Sequence, residues 1–239
     1  MDRRAILKDV DSDRGIPLGR AAFLGTVVAG IGGIALTSRF SSAVSDAMSG
    51  VAGAIPVVNE IAPTSGWRIY SVNPPMPVFD PATYRLKIGG EVSKPVELTY
   101  DELLALPAVE QVSDFHCVTG WSVPNVKWRG VRPQTLIDLV QPKAGLRQVT
   151  FASLEDPYVD GLAPDQFTLR DTLLATHMDD LPLTRAHGAP LRVVIPQMYG
   201  YKGVKWLSDI RFDATESTGY WEQRGYDVDA WIGRSNGLG

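Results

Sequence analysis

Residues 21–38, Ala-Ala-Phe-Leu-Gly-Thr-Val-Val-Ala-Gly-Ile-Gly-Gly-Ile-Ala-Leu-Thr-Ser, carry no charge and are bracketed by Arg20 and Arg39. In a helix rising about 1.5 Å per residue such a run reaches roughly 27 Å, just enough for the hydrocarbon core of a bilayer. A segment of this kind stands apart from a water-facing domain, so the chain divides into a front appendage and one folding unit behind it. Arg3, Arg4, Lys8, Arg14 and Arg20 precede the run, whereas Arg39 is the only basic residue between it and Gly66. That asymmetry places the N-terminus in the cytoplasm and everything after residue 40 outside.

The run reads either as a retained anchor or as a cleaved export signal. Ser42-Ala43-Val44 and Asp46-Ala47-Met48 offer no clean small-x-small cleavage site, which favours the anchor. Arg3-Arg4-Ala5-Ile6-Leu7-Lys8 resembles a twin-arginine (Tat) signal, the type that carries proteins across a membrane already folded. The expected organisation is a cytoplasmic segment over 1–20, a transmembrane or signal segment over 21–39, a linker over 40–66 and a folded domain over 67–239. The domain is expected outside the cytoplasm, tethered by a single pass, or free in the periplasm if the signal is cleaved.

Of the 239 residues, 44% are apolar and 21% charged, which excludes a disordered chain. Cys117 is the only cysteine, so no internal disulfide staples the fold. A net charge of -4 argues against a dedicated nucleic-acid binder. Tyr84–Val92 alternates polar and apolar residues and predicts a strand. Thr99-Tyr100-Asp101-Glu102 has capping-box spacing ahead of a short helix ended by Pro107. Strands are predicted at Val109–Phe115, Gln148–Leu154, Leu191–Ile195 and Val204–Phe212, and helices at Pro133–Val140 and Leu169–Met178. Short helices among strands, without regular βα alternation, predict an α+β domain with a mixed sheet. No Gly-x-Gly-x-x-Gly follows a strand and no P-loop is present, which removes the usual signs of nicotinamide, flavin or nucleotide binding.

Two places carry chemistry. Cys117 lies in Asp114-Phe115-His116-Cys117-Val118-Thr119-Gly120-Trp121, where a strand gives way to a loop. It is either a small buried hydrophobe or, with His116 lowering its pKa, a nucleophile or metal ligand. Zinc is disfavoured, since only His177 and His187 remain besides His116 and there is no second cysteine. The other place is basic: His187-Gly188-Ala189-Pro190-Leu191-Arg192 opens one strand and Tyr199-Gly200-Tyr201-Lys202-Gly203-Val204-Lys205-Trp206 opens the next. A hairpin-like arrangement would gather His187, Arg192, Lys202 and Lys205 around an anion such as phosphate, the alternative being a solvated strand end.

Phe-His-Cys-Val-Thr-Gly-Trp, then His-Gly-Ala-Pro-Leu-Arg, then Tyr-Gly-Tyr-Lys-Gly-Val-Lys-Trp, and finally Gly219-Tyr-Trp-Glu-Gln-Arg-Gly-Tyr226 resemble the sulfite oxidase family of molybdopterin enzymes. The likeness is greatest to its prokaryotic branch, which includes the periplasmic methionine-sulfoxide reductase catalytic subunits. The resemblance implies a mixed α+β domain around one molybdenum-bearing molybdopterin, with Cys117 as the protein's ligand to the metal. It implies that His187 and Arg192 bind the pterin and its phosphate, and that Gly203, Val204 and Lys205, with Lys202 beside them, form the phosphate turn. Ser153 stands for a hydroxyl near the metal, and Arg68, Tyr70 and Ser71 for a stretch lying over the cofactor. His116 joins this cofactor set as the neighbour of Cys117, and Tyr158 is expected to approach the metal as a catalytic residue.

The resemblance further implies oxygen-atom transfer on a small oxyanion or sulfoxide. No Cys-x-x-Cys-His and no haem domain are evident, so electrons are expected to pass to or from a separate partner, such as a membrane haem protein or cytochrome. The dimerisation domain of the larger sulfite oxidases has no counterpart, which predicts a monomer. Their sulfite-pocket arginines have none either, which supports a rival reading, a non-catalytic binding or assembly module that keeps the fold.

Overall fold

The computed structural model describes residues 66–234. The uncharged run at 21–38, the Arg3-Arg4 motif and the linker lie outside the described residues.

Two five-stranded sheets build the domain. The first has the order β2-β1-β10-β5-β6, from β1 (Arg85–Gly90), β2 (Val96–Thr99), β5 (Gln148–Ser153), β6 (Val159–Leu162) and β10 (Leu207–Asp213). β1 runs parallel to β10, pairing Ile88 with Ile210, while the other neighbours are antiparallel. The sheet is therefore mixed, as the α+β reading expects. Alternation along β1 turns Leu86 and Ile88 inward, where they join Phe151, Ile210 and Phe212 in the larger core. The second sheet runs β3 (Ala108–His116), β4 (Ser122–Val131), β7 (Leu173–Met178), β8 (Leu181–Pro182), with β9 (Arg192–Val194) paired to β7. Its core holds Trp67, Val126, Trp128, Leu173 and Val194.

The helices are short. α1 (Tyr100–Ala105) starts at the expected capping box, with the Glu102 N–H donating to Thr99 Oγ1 at 3.2 Å and the Thr99 N–H to Glu102 Oε2 at 2.8 Å. α2 (Pro133–Val140) has proline in its first turn and buries Leu136 and Val140, and α3 spans Pro164–Phe167.

The structure corrects the helix expected at Leu169–Met178: the second half of that stretch is β7, bonded to both β4 and β9. Leu173, Leu174, Ala175 and Thr176 are all buried, and a strand covered on both faces looks in sequence like a buried helical segment. β4 escapes sequence reading for a different reason. Val123 is buried, but the next buried positions are Val126, Trp128 and Gly130, so its alternation changes phase at Pro124-Asn125. Asn125 there has φ +56°, and the register against β3 shifts between Ser113 and Phe115.

Candidate active site

β3 delivers the Cys117 turn to the lining of a cavity. The Gly120 N–H donates to the Cys117 carbonyl at 3.1 Å and the Cys117 N–H to the Trp121 carbonyl at 2.9 Å, a tight closure in which Gly120 takes φ +87°. Cys117 Sγ lies 3.1 Å from Thr119 Oγ1. Burial pushes the thiol pKa up, opposed by the Thr119 hydrogen bonds, the Arg68 charge and Trp121. Phe115 and Cys117 line the cavity and His116 does not, because neighbours along an extended chain point to opposite sides. His116 Nδ1 instead pairs with Ser122 Oγ at 2.8 Å, outside the lining that holds Cys117.

His187, Arg192 and Lys205 line the same cavity. His187 is packed edge-on to Trp67, with ring centroids 4.8 Å apart, and its Nδ1 is buried without a partner. Burial, then the charges of Arg192 and Lys205, lower its pKa to about 3, so the ring is neutral. Arg192 is only 3% exposed, donates from Nη1 to the His187 carbonyl at 3.3 Å, and stacks over Phe115 and Trp128. Its Nε finds no partner, and burial lowers its pKa to about 10. Lys205 donates from Nζ to the Tyr70 carbonyl at 2.7 Å and lies 4.0 Å from the Trp206 ring centroid. Burial, resisted by Glu155, lowers its pKa to about 7. Gly188 brings the two basic motifs together: it sits at φ +99°, and a Cβ there would meet the Lys205 side chain at 2.8 Å.

Lys202 departs from the expected basic cluster. It is buried away from the cavity, its Nζ 2.6 Å from both Asp160 Oδ1 and Glu222 Oε1. Burial works against its charge, but the two carboxylates outweigh it and raise the pKa. Asp160 Oδ2 and Glu222 Oε2 remain buried without partners. Val204 also leaves the expected set, since its side chain is fully buried in the larger core. The Gly203 and Val204 N–H groups close their own turn onto the Gly200 and Lys202 carbonyls, while Gly203 itself lines the cavity.

The remaining expected residues divide. Arg68, Tyr70, Ser153 and Tyr158 line the cavity. Ser71 lies behind it, donating from Oγ to Glu155 Oε1, which also accepts from the Val72 N–H at 2.8 Å. The Ser153 hydroxyl donates to the Lys205 carbonyl at 2.7 Å and accepts from the Glu155 N–H at 2.9 Å. The Tyr158 hydroxyl donates to the Tyr201 carbonyl at 2.5 Å, and burial raises its pKa well above the usual value. Sequence reasoning missed the aromatic wall, to which Trp67, Phe115, Trp121, Trp206, Trp221 and Tyr226 contribute. Phe115 and Trp121 flank Cys117 in its motif, and that flanking was the available signal.

Arg192 and Lys205 form no ion pair among the described residues, and burying such cations without an anion is unfavourable. With the partnerless His187 Nδ1 and Arg192 Nε, they suit a phosphate-bearing, hydrogen-bonding group. The Cys117 sulfur in the same cavity suits a soft metal. Mixed-sheet fold and site together define a protein built around a phosphate-bearing metal cofactor.

The chain belongs to the oxidoreductase molybdopterin binding domain family, whose sequence model matches residues 73–221. It is 35% identical over 162 residues to the oxidoreductase YuiH of Bacillus subtilis (strain 168), covering 65% of this chain and 80% of that one. It is 32% identical over 160 residues to the protein-methionine-sulfoxide reductase catalytic subunit MsrP of Campylobacter jejuni, covering 60% of this chain and 54% of the relative. The MsrP of Xanthomonas axonopodis pv. citri is 35% identical over 144 residues, covering 54% and 44%. The chain thus spans about half the length of these MsrP relatives. The sulfane dehydrogenase SoxCD of Paracoccus pantotrophus shares the fold at a TM-score of 0.55 and 21% identity, over 59% of this chain and 40% of that one. The protein is an enzyme of the sulfite oxidase type, and its cofactor is molybdenum with molybdopterin.

Proposed function

We propose that this domain reduces a small sulfoxide by oxygen-atom transfer. The sulfoxide gives up its oxygen and takes two electrons and two protons, leaving the sulfide and one water, with the electrons supplied by a separate protein. The observation that carries the reading is that the single thiol and two cations without ion-pair partners among the described residues line one aromatic-walled cavity. Relatives named as methionine-sulfoxide reductase catalytic subunits support the sulfoxide and, as subunits, a partner. A membrane haem protein or cytochrome is the partner class we favour, with the catalytic chain itself a monomer.

When bound, the cofactor supplies a two-electron centre able to exchange an oxygen atom with substrate. Cys117 holds the metal through its sulfur. Arg192 and Lys205 neutralise the phosphate, Gly203 gives it room, and the neutral His187 ring offers Nδ1 for a hydrogen bond to the pterin. Tyr158, by binding the Tyr201 carbonyl, fixes the turn that carries Gly203 and Lys205. The aromatic wall excludes water, which strengthens every electrostatic contact within. The finished domain lies outside the cytoplasm, delivered through the Arg3-Arg4 motif and the run at 21–38, with the folded unit beginning near Trp67.

Protein purified from a molybdenum-replete host should carry about one molybdenum per chain and, given reduced viologen, convert a sulfoxide to the sulfide. Cys117→Ser should abolish turnover and the Mo(V) resonance while the fold survives, since hydroxyl is a harder, weaker ligand. A folded, soluble, metal-free preparation, or parent-like turnover by Cys117→Ser, overturns the reading. Metal loading without any redox cycling would favour the binding-module alternative.

A further inference from the structure

Arg68 is a cavity cation of a different kind from Arg192 and Lys205. It makes no hydrogen bond or ion pair among the described residues. Arg192 is pinned over two aromatic rings and to the His187 carbonyl, and Lys205 is tied to the Tyr70 carbonyl. The charges of those two act on His187, whereas that of Arg68 acts on the Cys117 sulfur and the Tyr70 hydroxyl. The cavity therefore has two cations tied to its own backbone and rings, and a third, Arg68, that lacks such ties and whose charge reaches the thiol.

The backbone under Arg68 is held firmly. Trp67 is 6% exposed and packs against Phe115, Trp121, Trp128 and His187, at centroid distances from 4.8 to 6.2 Å. Arg68 itself is only half-buried, so a fixed main chain presents to the cavity a guanidinium with no partner among the described residues. The same cavity is lined in part by apolar and aromatic side chains, among them Val72, Val118, Trp121 and Tyr226. An unpaired guanidinium in a cavity with much apolar lining fits a molecule with one anionic group and an apolar body, because carboxylates and related oxyanions accept its fork of donors.

Building on the oxygen-transfer reading, we infer that Arg68 is the specificity-determining residue of this site, binding an anionic group on the substrate rather than the cofactor. The enzyme then prefers a sulfoxide bearing a carboxylate within reach of its sulfur over an uncharged sulfoxide of the same shape. The assignment takes Arg68 out of the cofactor-holding set in which the family resemblance places it.

N-acetylmethionine sulfoxide and its C-terminal amide differ by one negative charge and little else. In the molybdenum-loaded enzyme, Arg68→Met should lower the ratio of kcat/KM for the acid to that for the amide by roughly 10- to 100-fold, the size of a hydrogen-bonded charge contact. The loss should fall on KM, and Arg68→Lys should recover part of it, since a lysine keeps the charge but loses the fork. Molybdenum per chain should be equal in all three proteins. Binding of the thioether N-acetylmethionine, read as quenching of tryptophan fluorescence, should weaken in parallel without turnover. An unchanged acid-to-amide ratio, or loss of molybdenum in Arg68→Met, overturns the inference. If neither sulfoxide is reduced by the loaded parent, the sulfoxide reading fails, and the thioether titration alone decides the role of Arg68: undiminished binding in Arg68→Met overturns it.

Discussion

Lys205 is a half-buried lysine whose ammonium meets only a carbonyl, a ring face and the charge of Glu155, and desolvation together with the nearby Arg192 charge lowers its pKa to about 7. An unfolded lysine titrates near about 10.4, so between these values the unfolded chain binds the extra proton and stability rises with pH. Below pH 7 both states are protonated and the full penalty is present, on the order of a few kcal/mol. Cofactor-free Lys205→Met should accordingly be more stable than the parent at pH 6, with the gap closing as the pH approaches 10. Thermal melts of the two apo proteins across that range check the sign, and a parent that is the more stable at pH 6 would contradict it. In the loaded protein the phosphate keeps Lys205 charged and the trend should flatten. Proximity was legible where the chemistry is compact: Cys117, His187 and Arg192 stand in short motifs, and all three line one cavity. Lys202 was not, because its counter-ions Asp160 and Glu222 lie 42 and 20 positions away, and a string shows a charge without showing what neutralises it.

That buried ion pair acts at the scale of elements. Lys202 ends the short turn Gly200–Lys202, Asp160 sits in β6, and Glu222 opens the turn Glu222–Arg224, so three separate pieces meet on one ammonium. Removing the cation leaves two buried carboxylates unpaired, and Lys202→Met should lose about 3–5 kcal/mol in urea unfolding. Combining it with Asp160→Asn and Glu222→Gln should restore most of that stability, and molybdenum loading with it. A triple variant that folds stably yet stays empty would mean instead that Lys202 is needed at the phosphate. Elements were legible where local chemistry dictates them: the Thr99 capping box, the proline at the start of α2 and the alternation of β1. β4 and β7 were not, since a bulge shifts the phase of one and double-sided burial removes the alternation of the other. Both are tertiary effects, invisible in a window of ten residues.

For the whole molecule, the proposal is a domain that folds around its cofactor and then crosses a membrane. Replacing Arg3 and Arg4 together by Lys should leave a folded, molybdenum-loaded enzyme on the cytoplasmic side, seen by fractionation and activity. Normal export of the double variant would remove the twin-arginine reading. In the parent, protease added from outside should reach the domain and spare residues 1–20, while a mature N-terminus between about residues 43 and 60 would mean that the run is cleaved. The pairing of β1 with β10 adds a matter of timing. β10 sits in the middle of its sheet, between β1 and β5, and the cavity draws on residues from Trp67 to Tyr226. While a ribosome is still partway along the message, β1 has no parallel neighbour, β5 lacks one of its two, and neither Arg192 nor Lys205 exists to meet a phosphate. No growing chain can therefore capture the cofactor early. Loading waits for translation to pass Tyr226, and on the export proposal any factor that holds the chain back from the membrane must act between synthesis and loading.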